Sequence, residues 1–318
     1  MRIGIISNSD CCIPLAYTLA AQQLQVCIYY AAGNEPFVNQ KVQAFTKQNQ
    51  IPLFQEKQDN DFYQWINTGK YDACFIIGYR KLIQIKKVNG SADRIFNIHF
   101  SSLPAYKGPV PVFWQLRAGE QTLGISIHRL NEKFDEGNVL WRKEIKNQDF
   151  LNYQMTLQLL SQLCVEGALF ILQMLLNGIS IVPLFPSDST VSSYQTRPKA
   201  GDVIVQWETM TAQEICHLIR ACNPWNKGAI TFYKNQEVKL MDAVLAESEE
   251  TSEKNVAGME PGTIQEINKS LQIYCSDRKI ISVNMLFFQE CYIPAYQCNM
   301  VGFVEGERFR TPTISNAK

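Results

Sequence analysis

The stretch MRIGIISNSDCCIPLAYTLAAQQLQVCIYY, residues 1–30, carries the reading of the fold. Its first apolar run, RIGIIS (2–7), is too short for a helix and reads as a strand. Asn8, Ser9 and Asp10 follow, and their short polar side chains can turn the chain and cap a helix over 13–23. QVCIYY (25–30) is a second strand. Outward from this unit the alternation repeats. Segments 36–49 and 60–68 read as helices, and YDACFIIGY (71–79) and RIFNIHF (94–100) as strands. Fully apolar strands alternating with helices imply an α/β fold with a doubly wound, parallel-type, Rossmann-like sheet. GISIHRL (124–130) and NVLWRKEI (138–145) look like a later strand pair, and a long amphipathic helix over 153–177 closes the unit.

The pattern changes near residue 185. PSDSTVSSYQTRPKAGD is rich in Ser, Thr, Pro and Gly and has no period, so it reads as a linker. Beyond it T-A-Q-E (211–214) is a capping box that opens one helix. Short strands then follow at even spacing: GAITFY, EVKLMDAV, GTIQEI, SLQIYC, KIISVNML and NMVGFVEGERF. That spacing suggests a small, OB-like β-barrel. The expected organisation is a first domain over 1–188, a linker over 189–205 and a second domain over 206–318. A chain of 318 residues suits two such domains, and 46% apolar with 19% charged residues excludes wholesale disorder. With 30 basic and 30 acidic residues the formal charge is zero, which argues against a dedicated nucleic-acid binder. The ten cysteines scatter through apolar runs without a C-x-x-C, as reduced, buried thiols do. No leader pattern opens the chain and no apolar run reaches the ~18–20 residues of a membrane span, so a cytoplasmic protein without a membrane partner is expected.

Several chemistries are disfavoured by what the motifs lack. No G-x-G-x-x-G follows the first strand and no G-x-x-x-x-G-K-[ST] occurs, so a simple dinucleotide or nucleoside-triphosphate enzyme is not expected. No G-x-S-x-G elbow supports a serine hydrolase. The chain has three histidines, and no cysteine accompanies them at metal-ligand spacing, so no metal is expected. His217 lies inside the capped helix and reads as a packing residue. His99 ends an apolar strand in the pattern Asn97-Ile98-His99. Side chains two apart on a strand share a face, so Asn97 and His99 point together at the carboxyl end of a central strand, where ligands of open α/β sheets bind. SSLPAYKGP comes next, a turn that can offer backbone groups. His128 sits within GISIHRL, and Asp135 lies seven residues on. Spacing alone leaves both the functional and the packing reading open for these residues.

The run FNIHFSSLPAYKGPVPVFWQLRAGEQTLGISIHRLNEKFDEGNVLW (96–141) resembles the formyltransferase family that uses 10-formyltetrahydrofolate. Its Asn-x-His strand end, Ser-Leu-Leu-Pro loop, Arg-Gly turn and Leu-Asp-x-Gly loop stand here as Asn97-Ile98-His99, Ser101-Ser102-Leu103-Pro104, Lys107-Gly108 and Phe134-Asp135-Glu136-Gly137. The resemblance implies that Asn97, His99 and Asp135 are catalytic, with His128 matching a second active-site histidine of the glycinamide ribonucleotide branch. It implies a folate site at Tyr79, Arg80 and Leu82, at Ser101, Ser102, Leu103 and Pro104, and at Glu136, Gly137 and Val139. GDVIVQWETMTAQEICHLIRACNPWNKGAITFY (201–233) looks like the start of the C-terminal domain of methionyl-tRNA formyltransferase, a domain that some amino-sugar formyltransferases share. Ile204, Trp207, Ile219, Arg220, Ala221, Asn223, Pro224, Trp225 and Gly228 carry that match.

The chain also departs from the family. Ser102-Leu103 stands for Leu-Leu, and Arg80 replaces a Gly in GYRKLI (78–83). In tRNA-modifying members the loop after the second strand carries a long basic insertion. Here AAGNEPFVNQKVQAFTKQNQ (31–50) runs straight into a helix, with Lys41 and Lys47 against Glu35, a net of 2 − 1 = +1. Over 206–318 there are 11 Lys+Arg and 14 Asp+Glu, a net of −3, and ESEETSEK (247–254) reads as an acidic loop. The expected acceptor is therefore a primary amine of a small molecule, such as a nucleotide-linked amino sugar, with Tyr106, Trp114 and Trp225 as stacking faces. Initiator tRNA is the second acceptor considered. A hydrolase of the same donor and a folate-binding relic are further alternatives, and a homo-oligomer is compatible with all of them. Acyl transfer of this kind needs oxyanion donors and a proton acceptor. Asn97 and a protonated His99 would be the donors. Asp135 would favour the imidazolium and take the amine proton, and His128 would steady Asp135.

Overall fold

A computed structural model describes the whole chain apart from residues 34, 59, 91, 185–191, 247–257 and 313–318. The acidic run 247–254 and residues 189–191 of the linker lie outside the described residues. Two compact units emerge. One comprises Met1–Pro111, Thr122–Ile145 and Leu157–Gln195, the other Val112–Gln121, Lys146–Thr156 and Thr196–Lys318.

The first unit is built on strands β1 (Arg2–Ser7), β2 (Gln25–Tyr30), β3 (Leu53–Gln55), β4 (Ala73–Ile77), β5 (Ile95–His99), β6 (Thr122–Arg129) and β7 (Val139–Lys146). They form one sheet in the order β3-β2-β1-β4-β5-β6-β7. The first five are mutually parallel, and β6 runs antiparallel to β5. Helices α1 (Ile13–Ala21), α2 (Pro36–Gln48) and α3 (Asp61–Thr68) provide the crossovers. Ser9 accepts from the Cys11 amide and caps the 3-10 turn Asp10–Cys12 that leads into α1, as its short hydroxyl side chain suits. Gly4 pairs in register with Cys27 on one side and Cys74 on the other. A Cβ there would lie 2.7 Å from Cys74 Sγ and 2.9 Å from the Trp65 ring, so the missing side chain lets α3 settle on the sheet. Ile6, Tyr29, Phe62, Trp65, Ile76, Ile83 and Ile95 make one buried cluster on this face.

Two further helices are α4 (Pro111–Ala118) and α5 (Tyr153–Leu176). The latter is long and apolar enough to cross a membrane by length and composition. Leu160, Cys164, Ala168, Ile171 and Leu172 are nevertheless buried, and Gly167 lies against Trp141 and Ile127 of the sheet. That face therefore has a protein partner, while Met155, Leu159, Phe170 and Leu176 of the same helix stay exposed.

The second unit carries α6 (Ala212–Cys222) and strands β8 (Ala229–Tyr233), β9 (Gln236–Leu245), β10 (Ile264–Ile267), β11 (Leu271–Tyr274), β12 (Ile280–Phe288), β13 (Cys291–Pro294) and β14 (Phe309–Arg310). The order is β10-β11-β12-β9-β8-β14, with β13 on β12, and every pairing is antiparallel. A bridge from Thr263 to Arg308 brings the two edges together, so the sheet curls back on itself as a small barrel does. Thr211 and Glu214 form the capping box of α6.

Residues 299–309 correct the sequence reading: they do not form one strand. A 3-10 turn occupies Ala295–Val301, Gly302 ends it at φ 93°, and only Phe309–Arg310 is strand. The doubled-back path brings the buried Phe303 and Phe309 rings to 5.7 Å of each other, where a straight strand would hold them about 20 Å apart. The short strands β3 and β13 and the helix α4 are elements that the periodicity of the sequence does not single out.

Candidate active site

Four side chains meet beyond the carboxyl end of β5. Antiparallel pairing sets Asn97 of β5 directly opposite His128 of β6, and His99 opposite Ser126. Asp135 arrives from the loop after β6, in a left-handed turn at φ 54°. Its Oδ1 lies 3.1 Å from Asn97 Nδ2, 3.4 Å from His99 Nδ1 and 3.5 Å from His128 Nε2. The amide of Gly108 donates to its Oδ2 at 2.8 Å. All four residues belong to the first unit.

The proton positions follow from the partners. His128 Nδ1 lies 2.8 Å from the Arg129 carbonyl, which can only accept, so that nitrogen carries the hydrogen. Its Nε2 then accepts from Asn97 Nδ2 at 2.9 Å. His99 Nε2 likewise faces the Tyr106 carbonyl at 2.8 Å and donates to it. Both amide hydrogens of Asn97 are thus engaged in the resting site, one by His128 and one by Asp135. The sequence reading, which left Asn97 free to serve an oxyanion, does not include this.

Burial raises the Asp135 carboxyl, but its facing partners outweigh that and bring it to about 2. His99 moves the other way from the expectation. Burial dominates and pushes its imidazole down, against the raising pull of Asp135 and of the Tyr106 carbonyl. The two partners therefore disagree, because the drop at Asp135 leans partly on a positive charge that burial withdraws from His99. The N–H donors from Asn97 and Gly108 do not depend on that charge and keep the carboxylate ionised. The resting pair is a carboxylate beside a neutral ring whose Nδ1 is unprotonated.

The residues expected to line a folate site divide into two sets. Ser101, Leu103 and Val139 are buried and have little side-chain surface left for a ligand. Ser101 Oγ donates to the Ala105 carbonyl at 2.7 Å, and Ser126, absent from the sequence reading, latches the loop by donating to Ser101 O at 2.7 Å and accepting from Leu103 N at 3.1 Å. Ser102 donates to Glu144 at 2.6 Å, while Pro104 is half-buried. Glu136 points to Lys133 at 3.3 Å and to the buried Lys107 at 3.9 Å. Gly137 is required sterically, since a Cβ would fall 1.7 Å from the Arg129 carbonyl oxygen. The other set lies around a cavity of about 270 Å³, lined by Asn60, Phe62, Tyr63, Tyr79, Leu82 and Ile83 among others. Tyr79 stacks on Phe62 at 5.4 Å and donates to Glu56 at 2.7 Å. Arg80 is exposed and stands beside Gly33. Among the described residues no group of three His, Cys, Asp or Glu could hold a metal ion.

In the second unit the motif residues mostly hold structure. Trp207 and Ile219 are fully buried. Arg220 donates to the Gln148 carbonyl at 2.8 Å and to Asn147 at 3.2 Å, and Asn223 donates to the Met241 carbonyl at 2.9 Å. Gly228, at φ 111°, leaves room for the Leu240 carbonyl. Of the three aromatic residues considered for stacking, Trp225 is 44% exposed, and Trp114 and Tyr106 are half-buried.

Comparison with known proteins agrees with this architecture. Residues 22–150 match the model of the formyl transferase family, and residues 198–291 match that of the formyl transferase C-terminal domain. A methionyl-tRNA formyltransferase of Carboxydothermus hydrogenoformans is 26% identical over 271 residues, covering 83% of this chain and 84% of that protein. The bifunctional polymyxin resistance protein ArnA of Wigglesworthia glossinidia brevipalpis is 29% identical over 251 residues, 77% of this chain and 36% of that one. Among solved structures, the sugar 3N-formyltransferase WlaRD, crystallised in the presence of dTDP and 5-N-formyl-THF, superposes with a TM-score of 0.69 at 19% identity, covering 89% of this chain and 97% of that one. With both family models matched in order along the sequence, over a parallel-type α/β sheet and a curled antiparallel sheet, this chain belongs to the formyltransferase family and is a formyl-transferring enzyme.

Proposed function

We propose that the enzyme takes its formyl group from 10-formyltetrahydrofolate and passes it to the primary amine of a small molecule, a nucleotide-linked amino sugar being the favoured class. One observation carries the choice of acceptor: β2 ends at Tyr30 and α2 begins at Pro36, so only residues 31–35 connect them. That connection has no room for a basic insertion. Lys41, on the helix that follows, is already paired with Asp10 at 2.6 Å. Phosphate contacts supply much of any tRNA affinity, and a second domain with a net charge of −3 offers few. A structural neighbour solved with dTDP and a formyl folate is in keeping with this acceptor and this donor.

For the donor, Phe62, Tyr63, Tyr79, Leu82 and Ile83 offer aromatic and apolar walls for a flat ring in a cavity that Asn60, Lys81, Gln84 and Lys87 also line. Ile83 belongs to the same buried cluster as Ile95, which shares a face of β5 with Asn97. Arg80 adds an exposed guanidinium for a phosphate or carboxylate.

The chemistry uses the resting protonation. The amine nitrogen attacks the formyl carbon, a C–N bond forms, and the carbonyl electron pair moves onto oxygen. His99 Nδ1 takes the amine proton, and the imidazolium that results is stabilised by Asp135 3.4 Å away. The oxyanion competes with neutral His128 for an Asn97 N–H and, being charged, is the stronger acceptor. When the oxyanion collapses the bond to N10 breaks, N10 takes the proton held by the His99 imidazolium, and tetrahydrofolate leaves with the ring neutral again.

Donor turnover measured against charged initiator tRNA and a panel of amines, nucleotide-linked amino sugars included, tests the reading. Formylation of an amino sugar with tRNA left untouched is the expected result. Efficient formylation of tRNA at sub-micromolar concentration would overturn the choice of acceptor and favour the activity named for the Carboxydothermus relative.

A further inference from the structure

Residues 193–195 read in the sequence as linker, yet they lie along the turn that follows β5 like an added strand. Tyr194 bridges Lys107 in parallel, the Lys107 amide donates to the Ser193 carbonyl at 2.8 Å, and the Gln195 amide donates to the Lys107 carbonyl at 2.8 Å. Ser193 N donates to the Pro104 carbonyl at 3.3 Å, and Ser193 Oγ accepts from the Tyr106 amide at 2.9 Å. These bonds all fall on residues 104–108, the turn that provides both backbone groups of the site. Tyr106 O accepts from His99 Nε2, and Gly108 N donates to Asp135. Tyr106 has φ 56°, a left-handed conformation that a bulky residue holds only where its surroundings impose it. Gly108 has φ 95°, and a Cβ there would meet Gln195 O at 2.3 Å, so the segment rests directly on the turn.

We propose that residues 193–195 are a positioning strap of the active site, with Ser193 as its positioning residue, holding Tyr106 and Gly108 so that the one fixes the tautomer of His99 and the other orients Asp135. The inference rests on the reading of His99 and Asp135 as the proton-handling pair. A connection that only joined two units would have no need of these bonds. Removing the Ser193 hydroxyl takes that acceptor from the Tyr106 amide and loosens the residue whose carbonyl, also reached by Ser101 Oγ at 3.4 Å, anchors the ring.

The test uses the full chain labelled with ¹⁵N-histidine. Three histidines give three ring systems, and a His217→Asn variant removes the one outside the site. In the native protein the His99 ring is expected to show a fixed Nε2–H tautomer. In Ser193→Ala the ring signals should move towards tautomer averaging, and kcat should fall about five- to tenfold, the loss of one net hydrogen bond, with the donor KM unchanged. The acid limb of the rate profile should move to lower pH, because the Tyr106 carbonyl favours the imidazolium; Asp135 and His128, which also face the ring, are untouched. Ser193→Thr should restore all three. Should Ser193→Ala melt early, Ser193→Thr and Ser193→Val, alike in shape and different in the hydroxyl, replace it. Native-like ring signals, kcat and pH profile in the variant lacking the hydroxyl would overturn the proposal. Ring signals that move in a protein with no formyl-transfer activity would uphold the strap and remove the functional reading.

Discussion

Asp135 and His99 show how burial and partners compete within a few ångströms. Both side chains are less than a tenth exposed. Two N–H donors hold the carboxylate charged, while burial pushes the ring towards its neutral form against the raising pull of Asp135 and of the Tyr106 carbonyl. A base that is neutral at rest and paired once protonated suits an amine nucleophile. The acid limb of the rate should accordingly fall below the 6.5 of an ordinary histidine, and a profile with its limb above that value would contradict the assignment. The stability consequence of Asp135 runs the same way, lost as pH falls, but in a more acid window. Its folded pKa of about 2 is depressed from 3.8, so its contribution is present above about pH 4 and is lost as pH falls towards 2. Urea melts of Asp135→Asn and of the native chain should converge across that window. Asn97→Ala removes an oxyanion donor and should lower kcat by about 10²–10³, and it should also lower the melting temperature because the buried Asp135 loses one of its two N–H donors; a loss under tenfold in single-turnover assays would remove Asn97 from the oxyanion role.

At the scale of elements, the antiparallel β5–β6 pair does the assembling. Its register brings Asn97 opposite His128 and lets Ser126 hold the loop after β5. Gly124 of β6 is the point of closest approach, where a Cβ would stand 2.0 Å from Ser102 Oγ and 2.4 Å from the Ser102 amide. Because backbone is among those neighbours, Gly124→Ala cannot be absorbed by a side-chain rotation. It should lower stability by about 1–3 kcal/mol through overpacking and lower activity through displacement of the 101–108 loop. Calorimetry and steady-state kinetics check this, and a variant that melts and turns over like the native chain would refute it. Strand and helix periods marked β1, β2, β4, β5, β6 and β7 within a residue or two, because each is an uninterrupted apolar or alternating run. The three-residue β3 carries too little pattern to be seen, and the 299–309 run looks extended only until Gly302 and Gly306 take positive φ.

Over the whole molecule the ten cysteines stay apart as free thiols, and Cys291 is the exposed one. Burial pushes the others that shift upward, Cys11 to about 11 and Cys12, Cys216 and Cys298 to about 12. A thiol reagent at neutral pH should therefore label one cysteine rapidly in the native chain and all ten after denaturation; several fast sites would mean that the packing described is wrong. The sequence by itself determined the α/β class, the change to short strands after the linker, and the identity of Asn97, His99, His128 and Asp135 as residues worth testing. Those conclusions rest on local periodicity and motif spacing, which a linear chain displays. Only the tertiary structure decided which hydrogens are engaged, which way each pKa moves, and that residues 193–195 lie on the 104–108 turn. Hydrogen-bond partners and desolvation depend on what long-range contacts place beside a group, and Tyr106 and Ser193 are separated by 87 positions along the chain.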